Sequence, residues 1–368
     1  MQSDFVKPLL LWYNDHARDL PWRQTRDPYR IWVSEIMLQQ TRVEAVKVYY
    51  DRFLEALPDI RALAEVPEER LLKLWEGLGY YNRVRNMQRA ACMIRDEFQG
   101  EFPDTEEAVL SLPGIGSYTA GAVLSIAFGV PLPAVDGNVL RVMSRLTASY
   151  DDIAKPAVRK ALESELRTLL TENENTAPGL FNQAVMELGA TICGPNRSPD
   201  CAACPISSFC RAHREGIEEE LPVKTGKKAR RIEEITVLLI RDGEKTAIRK
   251  RQEGKLLGGF YEFPNLSGRK DQDEVRAYLN AQGLDAVHIR PLQDAKHIFT
   301  HVEWKMSGYL ISLGMQGAEK AAEDLCFVET KELEQRYPLP SAFRAYAKYL
   351  FVRTGSERLR AAGHETDR

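Results

Sequence analysis

Along residues 1–212 the apolar positions fall at helical spacing. The plainest case is VRKALESELRTLL, where Val158, Leu162, Leu166 and Leu169 recur at intervals of three and four and line one face. Glycine and proline cut this region into segments, at PWRQTRDPYR (21–30), GLGYYNR (77–83), LPGIG (Leu112 to Gly116) and PLPAVDGN (Pro131 to Asn138). After Ile232 the period changes. Ile235 to Ile240 is a short apolar run, and Val302, Trp304, Met306 and Leu310 alternate with Glu303, Lys305 and Ser307, as half-buried strands do. A helix over Glu274 to Gln282 separates these strands. The pattern predicts a multi-domain chain, an all-α domain followed by an α+β domain, with no internal repeat. An acidic run at Glu218 to Glu220, then Leu221-Pro222, then Lys224, Lys227, Lys228, Arg230 and Arg231 marks the junction by its change of charge. The expected divisions are a helical domain at 1–212, a linker at 213–232, a second domain at 233–353 and a disordered charged tail at 354–368.

Length and composition agree with two folded domains. The chain has 368 residues, 44% of them hydrophobic and 28% charged, which excludes wholesale disorder, collagen and a coiled-coil rod. Its formal charge is −3, but the sign is uneven. Before Thr225 there are 25 basic and 32 acidic residues, and from Thr225 onward 25 and 21, giving −7 and +4. No global basic field is present, so contact with nucleic acid must rely on local basic patches and backbone amides. The N-terminus lacks a basic segment leading into an apolar one, and the longest apolar stretch, Thr119 to Val135, is interrupted by glycine and proline. A cytoplasmic protein without membrane association is expected. Of six cysteines, Cys193, Cys201, Cys204 and Cys210 crowd into 18 residues. In a reducing compartment that clustering favours a metal centre over disulfides.

Three local patterns carry chemistry. Gly114 and Gly116 stand just before the apolar run Ser117 to Val123. Without Cβ atoms such a turn lets the backbone approach a phosphate, and the free amides of the next helix present partial positive charge; the same pattern also serves as a tight interhelical turn. Asp136, in VDGNVLR, opens a helix. It is either a plain N-cap, worth about 1 kcal/mol, or a carboxylate held on a tight turn where a sugar can meet it. Glu35, in WVSEIMLQQT, has apolar neighbours on a helix. Facing solvent it would be an ordinary surface acid, whereas burial would raise its pKa and let it protonate a leaving group near neutral pH.

Taken together, LPGIGSYTAGAV and VDGNVLRV resemble the helix-hairpin-helix and Gly/Pro-Asp signature of base-excision DNA glycosylases of the endonuclease III superfamily. Glu35 within WVSEIMLQQTRV, with GLGYYNRVRN at Gly77 to Asn86, resembles the MutY branch, the adenine DNA glycosylases. The resemblance covers Pro21 to Cys210. It implies that Glu35 protonates adenine, that Asp136 stabilises an oxocarbenium-like sugar, and that Asn138 orients the hydrogen bonds around it. Tyr118 takes the place where bifunctional relatives carry a lysine nucleophile, and a phenol cannot form a Schiff base, so strand-nicking activity is expected to be weak or absent. Gly114 and Gly116 are implied to grip the DNA backbone. Gln40, Thr41, Leu78 and Tyr80 match family positions that wedge into the duplex or touch the opposite base, although Leu78 and Tyr80 suit a core equally well. Trp22, Arg23 and Gln183 are candidates for the adenine pocket. The implied partner is double-stranded DNA with adenine opposite 8-oxoguanine or guanine, bound by a monomer.

The cysteines read Cys-x7-Cys-x2-Cys-x5-Cys. The family holds a 4Fe-4S cluster on Cys-x6-Cys-x2-Cys-x5-Cys, so this chain has one extra residue in the loop containing Arg197. Four thiolates also suit zinc. The second domain resembles the Nudix-like lesion-recognition domain of the MutY branch at KLLGGFYEFP (Lys255 to Pro264) and HIFTH (His297 to His301). The resemblance implies 8-oxoguanine recognition by Phe299, Thr300 and His301, with Thr300 where the family often has serine. The acidic Nudix hydrolase box is missing, so pyrophosphatase activity is not expected. Two other functions compete: a mismatch- or damage-specific glycosylase of the same superfamily, and a non-catalytic binder of damaged DNA. Glu35 argues against the first, since a pyrimidine leaving group needs no such acid, and the presence of both Glu35 and Asp136 argues against the second.

Overall fold

The computed structural model describes residues 3–173, 176–195, 198–226, 229–252, 256–314 and 324–351. The chain forms two compact units. Met1–Val66 with Asn82–Lys227 make the first, and Pro67–Tyr81 with Lys228–Arg368 make the second. The helices before the first strand are α1 (Val6–His16), α2 (Pro28–Leu38), α3 (Val43–Ala56), α4 (Ile60–Glu65), α5 (Glu68–Leu74), α6 (Asn82–Glu97), α7 (Glu106–Ser111), α8 (Ser117–Phe128), α9 (Gly137–Thr147), α10 (Pro156–Glu172), α11 (Pro178–Thr191) and α12 (Arg211–Glu215). All but α5 belong to the first unit. Among the described residues no helix is long and apolar enough to cross a membrane.

In the first unit the punctuating residues do structural work at the helix ends. Helix α2 begins with Pro28 in its first turn, and the Asp27 carboxylate caps it by accepting from the amides of Tyr29 and Arg30. Helix α8 is apolar on all sides, and every residue from Thr119 to Ser125 is buried, so it forms the centre of the unit against α2 and α11. It ends at Gly129, whose φ of 72° supplies the left-handed cap. Leu9, Val139, Met143, Leu166, Phe181 and Leu188 bring α1, α9, α10 and α11 into one core. On α10, Leu166 and Leu169 are buried as the helical spacing predicts, while Val158 and Leu162 are only half-buried. Truncating the fully buried Phe181 to alanine would cost about 3–5 kcal/mol.

The second unit is built on a mixed sheet of β1 (Arg231–Asp242), β2 (Lys245–Lys250), β3 (Tyr261–Glu262), β4 (Asn265–Ser267), β5 (Ala286–Ile298), β6 (Val302–Leu313) and β7 (Cys326–Glu329). The main order is β3-β2-β1-β6-β5, with β4 paired to β1 and β7 to β2. Strands β1 and β6 run parallel, in register from Arg231 opposite Val302 to Arg241 opposite Ser312. Because side chains alternate along a strand, Val237 and Leu239 face one core with Trp304, Phe343 and Tyr346, while Leu238 and Ile240 face the other. There Val275 and Leu279 of α13 (Gln272–Ala281) cover the sheet.

Three features depart from the sequence pattern. The alternation read in 302–310 holds only around Trp304 to Met306, because β6 is covered on both faces and Ser307 and Gly308 are buried too. Helix α13 starts at Gln272, earlier than the apolar pattern indicates, because Asp271 and Glu274 form a reciprocal capping box. The stretch 213–232, expected as linker, holds the end of α12 and the start of β1, and its middle is tied down: Val223 accepts from the Ile153 amide at 3.0 Å and Thr225 Oγ1 donates to Asp152 at 2.8 Å. Segment Pro67–Tyr81 joins the second unit through side chains that no local pattern exposes. Glu69 pairs with Lys250 at 3.2 Å, Glu76 accepts from the Leu339 amide at 3.3 Å, and the Tyr81 ring meets Phe260 at 4.1 Å. Arg197 and the tail at 354–368 lie outside the described residues.

Candidate active site

Two helix ends and two close backbone approaches assemble the site. Glu35 lies on α2 and is only 6% exposed. The Tyr118 hydroxyl, from the first turn of α8, donates to Glu35 Oε2 at 2.6 Å and lies 3.5 Å from Met186 Sδ. Asp136 caps α9: its Oδ1 accepts from the Val139 amide at 2.8 Å and its Oδ2 from Asn138 Nδ2 at 2.6 Å. Asn138 is itself held, since Arg141 Nη2 donates to its Oδ1 at 3.0 Å while the same guanidinium reaches the carbonyls of Gly189 and Cys193, each at 2.7 Å. A methyl group on Gly121 would lie 2.1 Å from the Pro133 carbonyl oxygen, so the absence of a side chain lets the loop before Asp136 run directly across α8. Gly189 likewise admits Asn138 against α11, where a Cβ would come within 2.7 Å of the Asn138 Cβ.

The electrostatics separate the two carboxyls. Burial pushes the Glu35 carboxyl up to about 7; the Tyr118 hydrogen bond and Arg23 work against the rise, and the neighbouring Asp136 adds to it. Asp136 is also raised by burial, but the Val139 amide and Asn138 favour its charged form and oppose the rise. Burial, with Glu35 and Asp136 nearby, holds the Tyr118 phenol well above its ordinary range, so it remains a neutral donor. One acid that is protonated near neutrality thus sits within electrostatic reach of a second carboxylate carrying fixed hydrogen-bond donors, and this is the division of labour that acid-assisted cleavage at a sugar requires.

The remaining predicted residues fall in distinct places. Trp22 is buried edge-on against Tyr50, with ring centroids 5.4 Å apart. Arg23 lies over the Tyr13 ring, and the Tyr13 hydroxyl donates to Gln183 Oε1 at 3.1 Å, which links two of the three proposed pocket residues. Gly114 has a φ of 80°, and a Cβ there would lie 2.6 Å from that of Asn86, so the hairpin turn is closed by contact with α6. Gly116 caps α8 in open space. Gln40 is exposed with a φ of 61°, a strained conformation for a residue with a side chain, and the buried Thr41 hydroxyl has no hydrogen-bond partner. Leu78 is buried, and Tyr80, with a φ of 50°, is 45% exposed. Within the second unit the Thr300 hydroxyl donates to the Tyr80 hydroxyl at 3.0 Å. Thr300 and His301 are the tip of a tight β5–β6 hairpin closed by the Phe299 amide on the Val302 carbonyl, and Phe299 packs edge-on against Trp304 and His297.

Cys193, Cys201, Cys204 and Cys210 are all free thiols and half-buried. Their charges bear on one another, and burial pushes the thiols of Cys201 and Cys204 up to about 11 and 12. Arg145 Nη1 donates to Cys193 Sγ at 3.1 Å, and Cys210 Sγ lies 3.4 Å from the Arg145 carbonyl. A thiol set that burial discourages from ionising, with a guanidinium on one sulfur, fits a metal or cluster whose positive charge supports the thiolates. His213 and Glu218 stand beside Cys201, with ligand atoms within 4.8 Å of one another.

Several site residues escaped the sequence reading. Arg83 Nη1 spans the carbonyls of Ile36, Met37 and Gln39 at 2.5, 3.2 and 2.6 Å, closing the end of the helix that carries Glu35. Arg141, Gly121 and Gly189 orient Asp136 as described above. Glu187, a fully buried carboxylate, binds Arg18 and Arg23. An acid inside the otherwise apolar AVMELGA of α11 was the one visible sign of it.

The helix-hairpin-helix turn, the capping aspartate and the buried acid together define a base-excision DNA glycosylase. Residues 33–168 match the HhH-GPD superfamily of base excision DNA repair proteins, and residues 236–349 match the NUDIX domain. The chain is 34% identical over 373 residues to a Homo sapiens adenine DNA glycosylase, covering 85% of this chain and 67% of that protein. It is also 34% identical over 313 residues to an adenine DNA glycosylase of Buchnera aphidicola subsp. Schizaphis graminum, covering 84% and 88%. Among solved structures, a thermostable thymine-DNA glycosylase is similar with a TM-score of 0.51 and 32% identity, over 58% of this chain and 96% of that one. The chain belongs to the adenine DNA glycosylase family.

Proposed function

We propose that this glycosylase removes adenine mispaired with 8-oxoguanine or guanine in duplex DNA, acts as a monomer, and leaves an abasic site without nicking the strand. The observation that carries this reading is the pairing of Glu35, held at about 7, with Asp136 on its capping hydrogen bonds. Adenine must leave the stack, at a cost of a few kcal/mol. Glu35 then gives its proton to a ring nitrogen of the base, and the C1′–N bond breaks with its electron pair going to adenine. Asp136, ionised, faces the cationic sugar and lowers the barrier electrostatically. Water adds its oxygen to C1′ and releases a proton, so base and sugar both end neutral. Tyr118 keeps Glu35 oriented and offers no amine for a Schiff base, which supports a monofunctional enzyme.

Cys193, Cys201, Cys204 and Cys210 would hold a 4Fe-4S cluster. When bound it would cross-link the end of α11 to the segment before α12 and carry no step of base release. Phe299, Thr300 and His301, at an exposed hairpin tip that shares a hydrogen bond with Tyr80, are the groups we assign to the 8-oxoguanine face. Gly114, Gly116, Gln40, Thr41, Leu78 and Tyr80 remain the proposed DNA contacts. The deciding experiment is single-turnover base release from duplexes carrying adenine opposite 8-oxoguanine, guanine or thymine, and thymine opposite guanine. Adenine release from the first two, with the others inert, is expected; thymine release from the last would replace this reading with that of a thymine-specific enzyme. The absorption spectrum of the purified protein separates iron–sulfur from zinc.

A further inference from the structure

Helix α2 ends in a way that its own residues do not favour. Helices that stop on a left-handed residue usually place glycine there, as α8 does at Gly129. The chain leaves α2 through Gln39 and then Gln40, which is exposed and takes a φ of 61° with a full side chain. That conformation is strained for a residue with a Cβ, so surrounding contacts must hold it. Arg83 supplies them. The last carbonyls of a helix have no amide partner within it. Here the Thr41 amide donates to the Leu38 carbonyl at 3.3 Å, and Arg83 Nη1 takes the carbonyls on either side: Ile36 at 2.5 Å, Met37 at 3.2 Å and Gln39 at 2.6 Å. Arg83 stands in the first turn of α6, where that helix's own dipole disfavours a cation, and its head meets the negative end of α2 instead. A second tie runs to α8. Gln39 Nε2 donates to Thr119 Oγ1 at 3.4 Å, one residue past the Tyr118 that hydrogen-bonds Glu35.

We propose that Arg83 is a positioning residue for base release: it clamps the strained end of α2, so that Glu35 on the last turn and the Gln40 side chain beyond it are presented to DNA in one fixed relation. This rests on Glu35 being the acid. Glu35 directly precedes the first clamped carbonyl and Gln40 directly follows the last, so one guanidinium fixes the backbone between them. Glycine at this position would end the helix without strain but would offer no side chain. Gln40 keeps the side chain, and Arg83 offsets the strain. Proton transfer to the base depends on where the acid stands, and a displacement of about 1 Å can slow such a step about 100-fold.

The test is single-turnover adenine release from a duplex with adenine opposite 8-oxoguanine, with the intact protein in excess so that only bound, folded molecules are read. Arg83→Gln loses both the charge and the reach. It should slow release at least about tenfold while duplex affinity stays within about threefold of wild type. Gln40→Gly removes the strain, so adding Arg83→Gln to that variant should slow release by less than about threefold relative to Gln40→Gly alone. Arg83→Lys keeps the charge and three donors and should lose less than Arg83→Gln. The same comparison made with Arg83→Lys keeps the question answerable if Arg83→Gln does not fold. A merely structural Arg83 would lower the melting midpoint and leave the rate of bound molecules at the wild-type value. That result, or an equal slowing with and without Gln40→Gly, overturns the proposal. Glu35→Gln run alongside separates the two levels. If it keeps activity, the assignment of the acid is wrong; if it is inactive while Arg83→Gln releases adenine at the wild-type rate, the error is confined to Arg83.

Discussion

Replacing Glu35 with glutamine should make the protein more stable while abolishing its activity, and the gain should depend on pH. Folding carries this carboxyl from an ordinary value of 4.5 to about 7, chiefly by burial. A carboxyl raised in the folded state favours folding fully below its unfolded value and loses that contribution as pH rises through the folded one. At 1.36 kcal/mol per pH unit, wild type therefore forfeits about 3 kcal/mol between pH 4 and pH 8 through this group. Glutamine does not titrate and can still accept from the Tyr118 hydroxyl, so Glu35→Gln and wild type should be nearly equal at pH 4. At pH 8 the variant should be ahead by most of that figure, or several degrees in thermal midpoint. Paired melts of the two proteins at matched pH cancel effects common to both, including those of the cysteine centre. A stability difference of constant size across this range would refute the claim that burial raises Glu35.

Other outcomes follow from the same geometry. Asp136→Asn can keep the amide bond to Val139 but loses the charge, so adenine release should fall at least about 100-fold with duplex affinity retained; a near-normal single-turnover rate would remove Asp136 from the mechanism. Gly121→Ala forces a methyl group onto the Pro133 carbonyl and should cost about 1–3 kcal/mol in denaturant melts, with a loss of activity as the Asp136 loop shifts; a fully active, equally stable variant would show the approach is not needed. Thr300→Ala should narrow the preference for 8-oxoguanine over guanine partners while leaving basal adenine release intact, and equal losses on both duplexes would contradict the proposed division between the two units.

What the sequence made legible was local. The hairpin glycines, the Asp136 cap and the proline-marked turn before α2 announce themselves because each constraint lies within a few residues of its cause. Glu35 was identifiable as a candidate, but its burial was not, since that depends on α8 delivering Tyr118 from 83 positions away. Arg83, Gly121 and Gly189 were invisible for the same reason: a guanidinium on distant carbonyls, or a missing Cβ beneath another segment, leaves no periodic trace. Segment Pro67–Tyr81 shows the limit most clearly, because it follows the helical rhythm of the first unit and yet takes its partners from Lys250, Phe260 and Leu339. In the sheet, coverage on both faces erased the alternation that a one-sided strand would have displayed.

The central claim is that a carboxylic acid poised near neutrality delivers the proton that frees adenine. The pH profile of single-turnover release from a duplex with adenine opposite 8-oxoguanine tests it most directly. The rate should hold up to near pH 7, decline above it as Glu35 ionises, and decline on the acid side as Asp136, raised by burial, takes up a proton. A rate that stays level or climbs from pH 6 to pH 9 would contradict it.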